Sequence, residues 1–114
     1  MAFAPDQVEA LKKVYPELAA ASEGGTDFIR IDKIILPDPC HPRVVAGLLC
    51  PTEREGYPSR LFISEMVKHP GKANWNPATG SLILGKQWWA LSWKTKPGQT
   101  LLQMVIDHLG GFQP

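Results

Sequence analysis

The sequence predicts an α+β domain in which a helix at each end packs on an antiparallel meander of three or four strands. Three observations predict it. Apolar residues recur at helical spacing near both ends, at Val8, Leu11, Tyr15 and Leu18 and again at Leu101, Leu102, Val105, Ile106 and Leu109. Between them lie apolar runs of strand length, Phe28 to Leu36, Arg43 to Cys50 and Leu61 to Val67, joined by connections too short for crossover helices. With 114 residues, 44% of them hydrophobic, the chain is sized for a single domain, 1–114.

The first helix opens at Pro5-Asp6. Asp6 is placed to cap it, with Glu9 three residues on as in a capping box, and Pro16 ends or kinks it. Glu9, Lys12 and Lys13 fall on the opposite side from the apolar stripe, which describes an amphipathic helix lying on a sheet. Ala19 to Ser22 reads as a ragged further turn before Gly24-Gly25 breaks the pattern. In the strand from Phe28 to Leu36, Ile29, Ile31 and Ile35 alternate with Arg30, Asp32 and Ile34, so the odd-numbered face is the inner one. Pro37, Pro39 and Pro42 make the next connection a stiff loop or an edge.

Arg43 to Cys50 is the second strand, and Thr52 to Gly56 is the turn into the third. That third strand, Leu61 to Val67, is bracketed by Tyr57-Pro58 and His69-Pro70. Leu61, Ile63 and Val67 share one face, while Phe62 and Met66 share the other. Apolar weight on both faces makes it an interior strand. Gly71 to Gly80 is a long loop with Trp75 as its anchor, the kind of segment that often carries function. Leu82 to Leu84 and Gln87 to Ser92 flank Gly85-Lys86 and suit a hairpin. Thr100 and Gln103 match a capping box at the head of the last helix, which Gly110-Gly111 terminates.

Composition excludes several function classes. Twelve Lys+Arg against eleven Asp+Glu give a formal charge of +1, and no segment concentrates like charge, so neither nucleic acid nor an acidic membrane surface is an expected partner. No apolar stretch approaches the roughly 18 residues of a membrane span, and no basic flank or apolar signal core stands at the N-terminus. A cytoplasmic location is expected, with Cys40 and Cys50 as reduced thiols. Cys40-His41, Cys50, His69 and His108 do not form the paired short spacings of a zinc site, so no metal is expected.

Two constellations remain. Cys40 can be read as a nucleophile with His69 or His41 as base, but neighbours on extended backbone point apart, which leaves His41 badly placed. Cys50 ends an apolar strand before Pro51 and reads as core. Trp75, Trp88, Trp89 and Trp93 can be read as a stacking platform for sugars or bases, or as aromatics that close a core beside Leu82, Leu84 and Leu91. Core is favoured, with one of Trp88 and Trp89 turned outward because adjacent strand residues face opposite ways. A Gly-rich phosphate loop, a paired-carboxylate signature and a serine nucleophile elbow are all missing from the sequence.

The order of elements, with Tyr57-Pro58 before the third strand and His69-Pro70 after it, resembles the ubiquitin-conjugating-enzyme (UBC) fold. In that family a helix packs on a four-strand meander. A strand ending in Pro and a turn ending in Tyr-Pro lead to a third strand, a His-Pro-Asn motif, a Gly-x-x-Cys segment and a helix. Cys50-Pro51 to Tyr57-Pro58 is similar to the first signature, and His69-Pro70 to the start of the second. Gly80-Ser81-Leu82-Ile83 falls where the family places its catalytic cysteine, with Ile83 at that position, and Gly71 stands where the family has an oxyanion-stabilising asparagine, with Asn74 or Asn76 as its alternative in a longer loop. The segment Gly85 to Trp93, followed by Lys96-Pro97-Gly98, is similar to a bacterial branch whose members often lack the cysteine.

The resemblance implies a vestigial site made of His69, Pro70, Gly71 and Ile83, and a binding surface around His69, Asn74, Trp75, Trp88 and Trp89. It implies a non-catalytic subunit whose partners are a ubiquitin-like protein and an activating-enzyme-like protein, with no cofactor. An alternative is a ubiquitin-like-protein transferase in which Cys50 or Cys40 is a displaced thioester nucleophile assisted by His69; another is an aromatic-platform ligand-binding module. If the assignment of Gly80 to Leu84 is right, Ile83 is expected beside the loop Gly71 to Pro77, near His69 and with no thiol at hand. An Ile83→Cys variant is then expected to accept a ubiquitin-like chain weakly, and better with Gly71→Asn added.

Overall fold

The computed structural model describes residues 3–114. Helix α1 runs from Pro5 to Val14, and helix α2 from Leu101 to Gly110. Between them are six strands: β1 Leu18–Glu23, β2 Thr26–Ile35, β3 Val44–Cys50, β4 Arg60–Ile63, β5 Ser81–Ile83 and β6 Lys86–Ala90. They form one antiparallel sheet in the order β1-β2-β3-β4-β6-β5. The predicted α+β class and antiparallel pairing hold, with six strands where three or four were expected.

The additional strand at the front is β1, where a ragged helical turn was expected. Ala19-Ala20-Ala21 has no β preference of its own, so tertiary context decides. Gly24 and Gly25, at φ 60° and 80°, supply the two left-handed residues that a tight hairpin turn needs, and β1 is folded back on β2 from Glu23↔Thr26 to Leu18↔Ile31. A corresponding hairpin joins β5 to β6. Its turn is Leu84-Gly85, one residue earlier than predicted, and Ile83 rather than Leu82 faces inward, Leu82 being 71% exposed.

Ala4 is the N-cap of α1 and makes no side-chain cap bond; Pro5 occupies the first turn, so the helix begins before Asp6, whose carboxylate is left in the first turn, favourable to the dipole. In β2 the register against β3 shifts between Ile31 and Ile34, which turns Ile34 into the core and Ile35 out to solvent, reversing the predicted odd-numbered face beyond Ile31. The third predicted strand ends at Ile63 rather than Val67, and Met66 is exposed. Ser64 closes it by pairing with Ala46 through both its backbone N–H and its hydroxyl. On α2 the predicted capping box is present in both directions, but Ile106 is exposed and His108 takes the buried position, one turn beyond Val105.

The sheet has a core on each face. One cluster joins both helices to the sheet: Leu11 of α1 and Leu101 and Val105 of α2 pack with Ile29, Ile31, Ile34, Leu49, Leu61 and Ile63. The helices also meet directly, where the Leu101 N–H donates to Gln7 Oε1. The second cluster consists of Phe28, Leu48, Cys50, Phe62, Ile83, Trp88 and Ala90. Residues of β2 and β3 reach those of β5 and β6 there because the sheet curls and lays its last hairpin over its own second face. β4 lies between β3 and β6, and all four of its residues are buried, as the interior reading required.

Candidate functional site

His69 follows β4 and is tied into the first cluster. Its ring meets Trp75 and Phe112 edge-on, with centroids 5.6 and 5.5 Å away. The Gly71 N–H donates to His69 Nδ1 at 3.1 Å, which leaves Nε2 as the proton-bearing nitrogen of the neutral ring. Burial lowers its pKa, so the neutral form is favoured. The Cys40 thiol approaches the Phe112 carbonyl at 3.7 Å, so this thiol and His69 both lean on Phe112. Burial of Cys40 raises its pKa, the wrong direction for a nucleophile.

Gly71 is required sterically. A Cβ there would stand 2.3 Å from the Gly111 carbonyl oxygen and 3.0 Å from that of Gln113, both backbone atoms of the chain's last segment. The position expected to accept an asparagine has no room for any side chain, so Gly71→Asn does not rebuild an oxyanion site there. Pro70 and Asn74 are exposed, and the Asn74 carbonyl accepts from the Ser92 N–H at 2.7 Å.

Ile83 is 2% exposed and packed in the second cluster with Cys50, Phe62 and Trp88. The ring and hydrogen-bond partners of His69, namely Trp75, Phe112 and Gly71, are not members of that cluster. The two halves of the expected site are thus built into different packing units, and the thiol that shares a unit with Ile83 is Cys50, contrary to the expectation that none is at hand. Cys50 is fully buried, its Sγ 3.6 Å from the Thr52 carbonyl oxygen. Both cysteines are free, as predicted.

The tryptophans do not form one platform. Trp88 is buried and its Nε1 donates to the Ile83 carbonyl; Trp93 donates to Asp107; Trp75 packs at His69; Trp89, as the alternation required of one of the pair, is half-exposed. No group of three or more His, Cys, Asp or Glu able to hold a metal ion is found among the described residues. No helix among them is long and apolar enough to cross a membrane.

What holds the loop between β4 and β5 is a polar network that sequence reasoning missed. Arg60, 1% exposed, donates from Nη2 to the carbonyls of Asn76 and Leu91 at 2.8 and 3.1 Å and lies over the Tyr57 ring at 4.4 Å. Tyr57 Oη accepts from Asn76 Nδ2 and pairs with Ser92 Oγ, and those bonds lower its pKa. A second buried group sits under α2: Ser59 Oγ lies 2.9 Å from His108 Nε2 and 3.0 Å from Thr95 Oγ1. Burial lowers the His108 pKa to about 4. This serine–histidine contact has no access for a substrate, since Ser59 and His108 are 1% and 5% exposed, and it serves to fix α2 on β4. A signal for His108 was available, because it continues the Leu101–Val105 face at helical spacing. Arg60 had none: it stands just before an apolar run and reads as a solvated end.

Compared with family models, with curated proteins and with solved structures, the chain gives no match. What is established is the class of fold: an α+β domain in which the first and last helices pack together on one face of a six-stranded, curled antiparallel sheet.

Proposed function

We propose that the chain is a UBC-like binding domain of a bacterial ubiquitin-like pathway, cytoplasmic and without thioester chemistry of its own, that engages a ubiquitin-like protein or its activating-enzyme-like protein. The observation that carries the non-catalytic part is the burial of both thiols, Cys40 at 5% and Cys50 at 0% exposure, in separate packing units. A thioester nucleophile must present its sulfur to an incoming carbonyl and be deprotonated to attack, and burial opposes both. Ile83, where the resemblance puts the family's cysteine, is buried in a different packing unit from His69's partners, so these residues do not assemble a transfer site, and Gly71 has no space for the family's asparagine. The helix–meander–helix order supports the family reading.

The test is to incubate the protein with a bacterial ubiquitin-like protein, its activating-enzyme-like protein and ATP, and to resolve the products without reductant. Binding by calorimetry with no reductant-sensitive adduct is the expected result. An adduct that disappears in Cys50→Ala or Cys40→Ala contradicts the non-catalytic reading, and absence of binding to either protein contradicts the pathway.

A further inference from the structure

The outer edge of β1 carries a row of unused backbone hydrogen-bonding groups. β1 and β2 are joined by a two-residue turn, so the closing pair Glu23↔Thr26 is hydrogen-bonded, and bonded pairs then alternate through Ala21↔Phe28 and Ala19↔Arg30. The Asp32 N–H donating to the Glu17 carbonyl at 2.9 Å continues that phase. The N–H and C=O groups of Leu18, Ala20 and Ser22 therefore point away from β2, and β1 is the terminal strand of the sheet. Among the described residues, no hydrogen bond reaches them from outside the hairpin.

Proteins blunt such edges with lysine, proline, a bulge, a cover or sheer brevity. The opposite edge, β5, is three residues long. β1 is six residues long, pairs with β2 without a register shift, and has neither charge nor proline between Leu18 and Ser22. Beside it the curl of the sheet leaves a groove of about 280 Å³, floored by Ala19, Ala20 and Ala21 and walled by Leu84, Trp88 and two cationic residues, Lys86 and Arg30, the latter paired with Asp32 at 2.8 Å. Alanine side chains stop at Cβ, so a strand laid along the edge has space for its own side chains over that floor. The Leu84 N–H donates to the Glu23 carboxylate, which holds the hairpin tip at the groove's end.

We propose that the β1 edge receives an extended segment of a partner polypeptide as a seventh strand, and that the segment carries two basic side chains six positions apart. Charge selects this occupant over a second copy of the chain. Antiparallel self-pairing that uses all three outward residues sets Ala20 against itself and Leu18 against Ser22, which places each Glu17 opposite the Glu23 of the other copy. Like charges directly opposite across a strand pair destabilise it. Lysine or arginine at those two positions of a foreign strand makes the same geometry favourable, while main-chain bonds to Leu18, Ala20 and Ser22 supply affinity.

The probe is a fluorescein-labelled peptide, Lys-Val-Thr-Val-Thr-Val-Lys, followed by anisotropy, with its glutamate-ended counterpart as comparator. Saturable binding is expected, weaker by at least about tenfold for the glutamate-ended peptide and for the variants Ala20→Pro and Glu17→Lys. Ala20→Pro removes an outward N–H and leaves the bonds to β2 in place, so its melting curve is expected to stay close to that of the parent. Glu17→Lys is an exposed change that carries the test by itself if the proline variant does not fold. Amide shifts on peptide addition are expected along Leu18 to Ser22. No binding up to about 1 mM, equal binding of the two peptides, or shifts confined elsewhere overturns the proposal. So does a concentration-dependent dimer of the protein that Ala20→Pro abolishes, which assigns the edge to a second copy.

Discussion

The two faces of the sheet are covered by different means. Two helices that flank the sheet in sequence close the first face, and their apolar spacing makes them recognisable in isolation. The sheet's own last hairpin closes the second face, and it can do so only after the sheet has curled. Around the second core the cover is also polar: the Arg54 guanidinium lies 5.7 Å from the Phe28 ring centroid and 5.8 Å from that of Phe62, and Arg60 lies 5.3 Å from Phe62. Each face buries one of the two thiols, and the expected site is divided between them, His69 packing against Trp75 and Phe112 of the first core and Ile83 lying in the second. A shared location inferred from motif order thus comes apart when the sheet is given two insides.

Neighbouring residues of β4 test whether the second core is as solid as the first. Phe62 is fully buried under the hairpin and Ile63 fully buried under the helices. Phe62→Ala is expected to cost about 3–5 kcal/mol and Ile63→Ala about 2–5 kcal/mol in denaturant unfolding. A cost at Phe62 near the surface level of about 0.5 kcal/mol breaks the comparison, since the hairpin is then only a flap.

The helix face has a pH dependence of its own through His108. Its pKa is about 4 in the folded protein, below the ordinary histidine value, so the unfolded chain binds the proton more readily. The contribution is fully present above about pH 6.5 and is lost as pH falls toward 4, a loss of about 3 kcal/mol in all. His69, also lowered by burial, acts in the same direction. Burial works against ionisation of the neighbouring Asp107, but bonds from Trp93, Gln99 and the Lys96 N–H hold its carboxyl below the ordinary value. Urea unfolding of the parent and of His108→Gln between pH 7 and pH 4 checks this, with a flatter profile expected for the variant.

At Gly71 a methyl group meets backbone rather than a movable side chain, so Gly71→Ala is expected to destabilise by about 1–3 kcal/mol. An unchanged melting curve contradicts the close approach of the C-terminal segment. Smallest of all is Leu82→Ala on the outside of the hairpin, expected within about 0.5 kcal/mol of the parent.

The legible parts of the fold were those where local signals and burial agree. Thr100 and Gln103 cap α2 as their spacing requires, Pro16 ends α1, and the apolar run after Tyr57-Pro58 is an interior strand. β1 was illegible because alanine carries no strand preference and the hairpin is imposed by Gly24-Gly25 and by pairing with β2. The inner face of β2 was misread past Ile31 because a register shift leaves no mark in an unbroken isoleucine-rich run. Of the candidate site, the burial of Cys50 was within reach of residue chemistry, whereas that of Cys40 was not, since it stands in a proline-rich loop whose packing against Phe112 is set by the C-terminal segment. The separation of Ile83 from His69's partners was not, since it depends on curl.

The central claim is that neither thiol is available to act on a partner. Reaction of the native protein with Ellman's reagent at pH 8 tests it most directly, with release measured before and after addition of denaturant. Negligible release from the native protein and release from both Cys40 and Cys50 on unfolding is the predicted result. Rapid release of one equivalent from the native state, assigned by Cys40→Ala and Cys50→Ala, contradicts it and puts the displaced-thiol enzyme ahead of the non-catalytic reading.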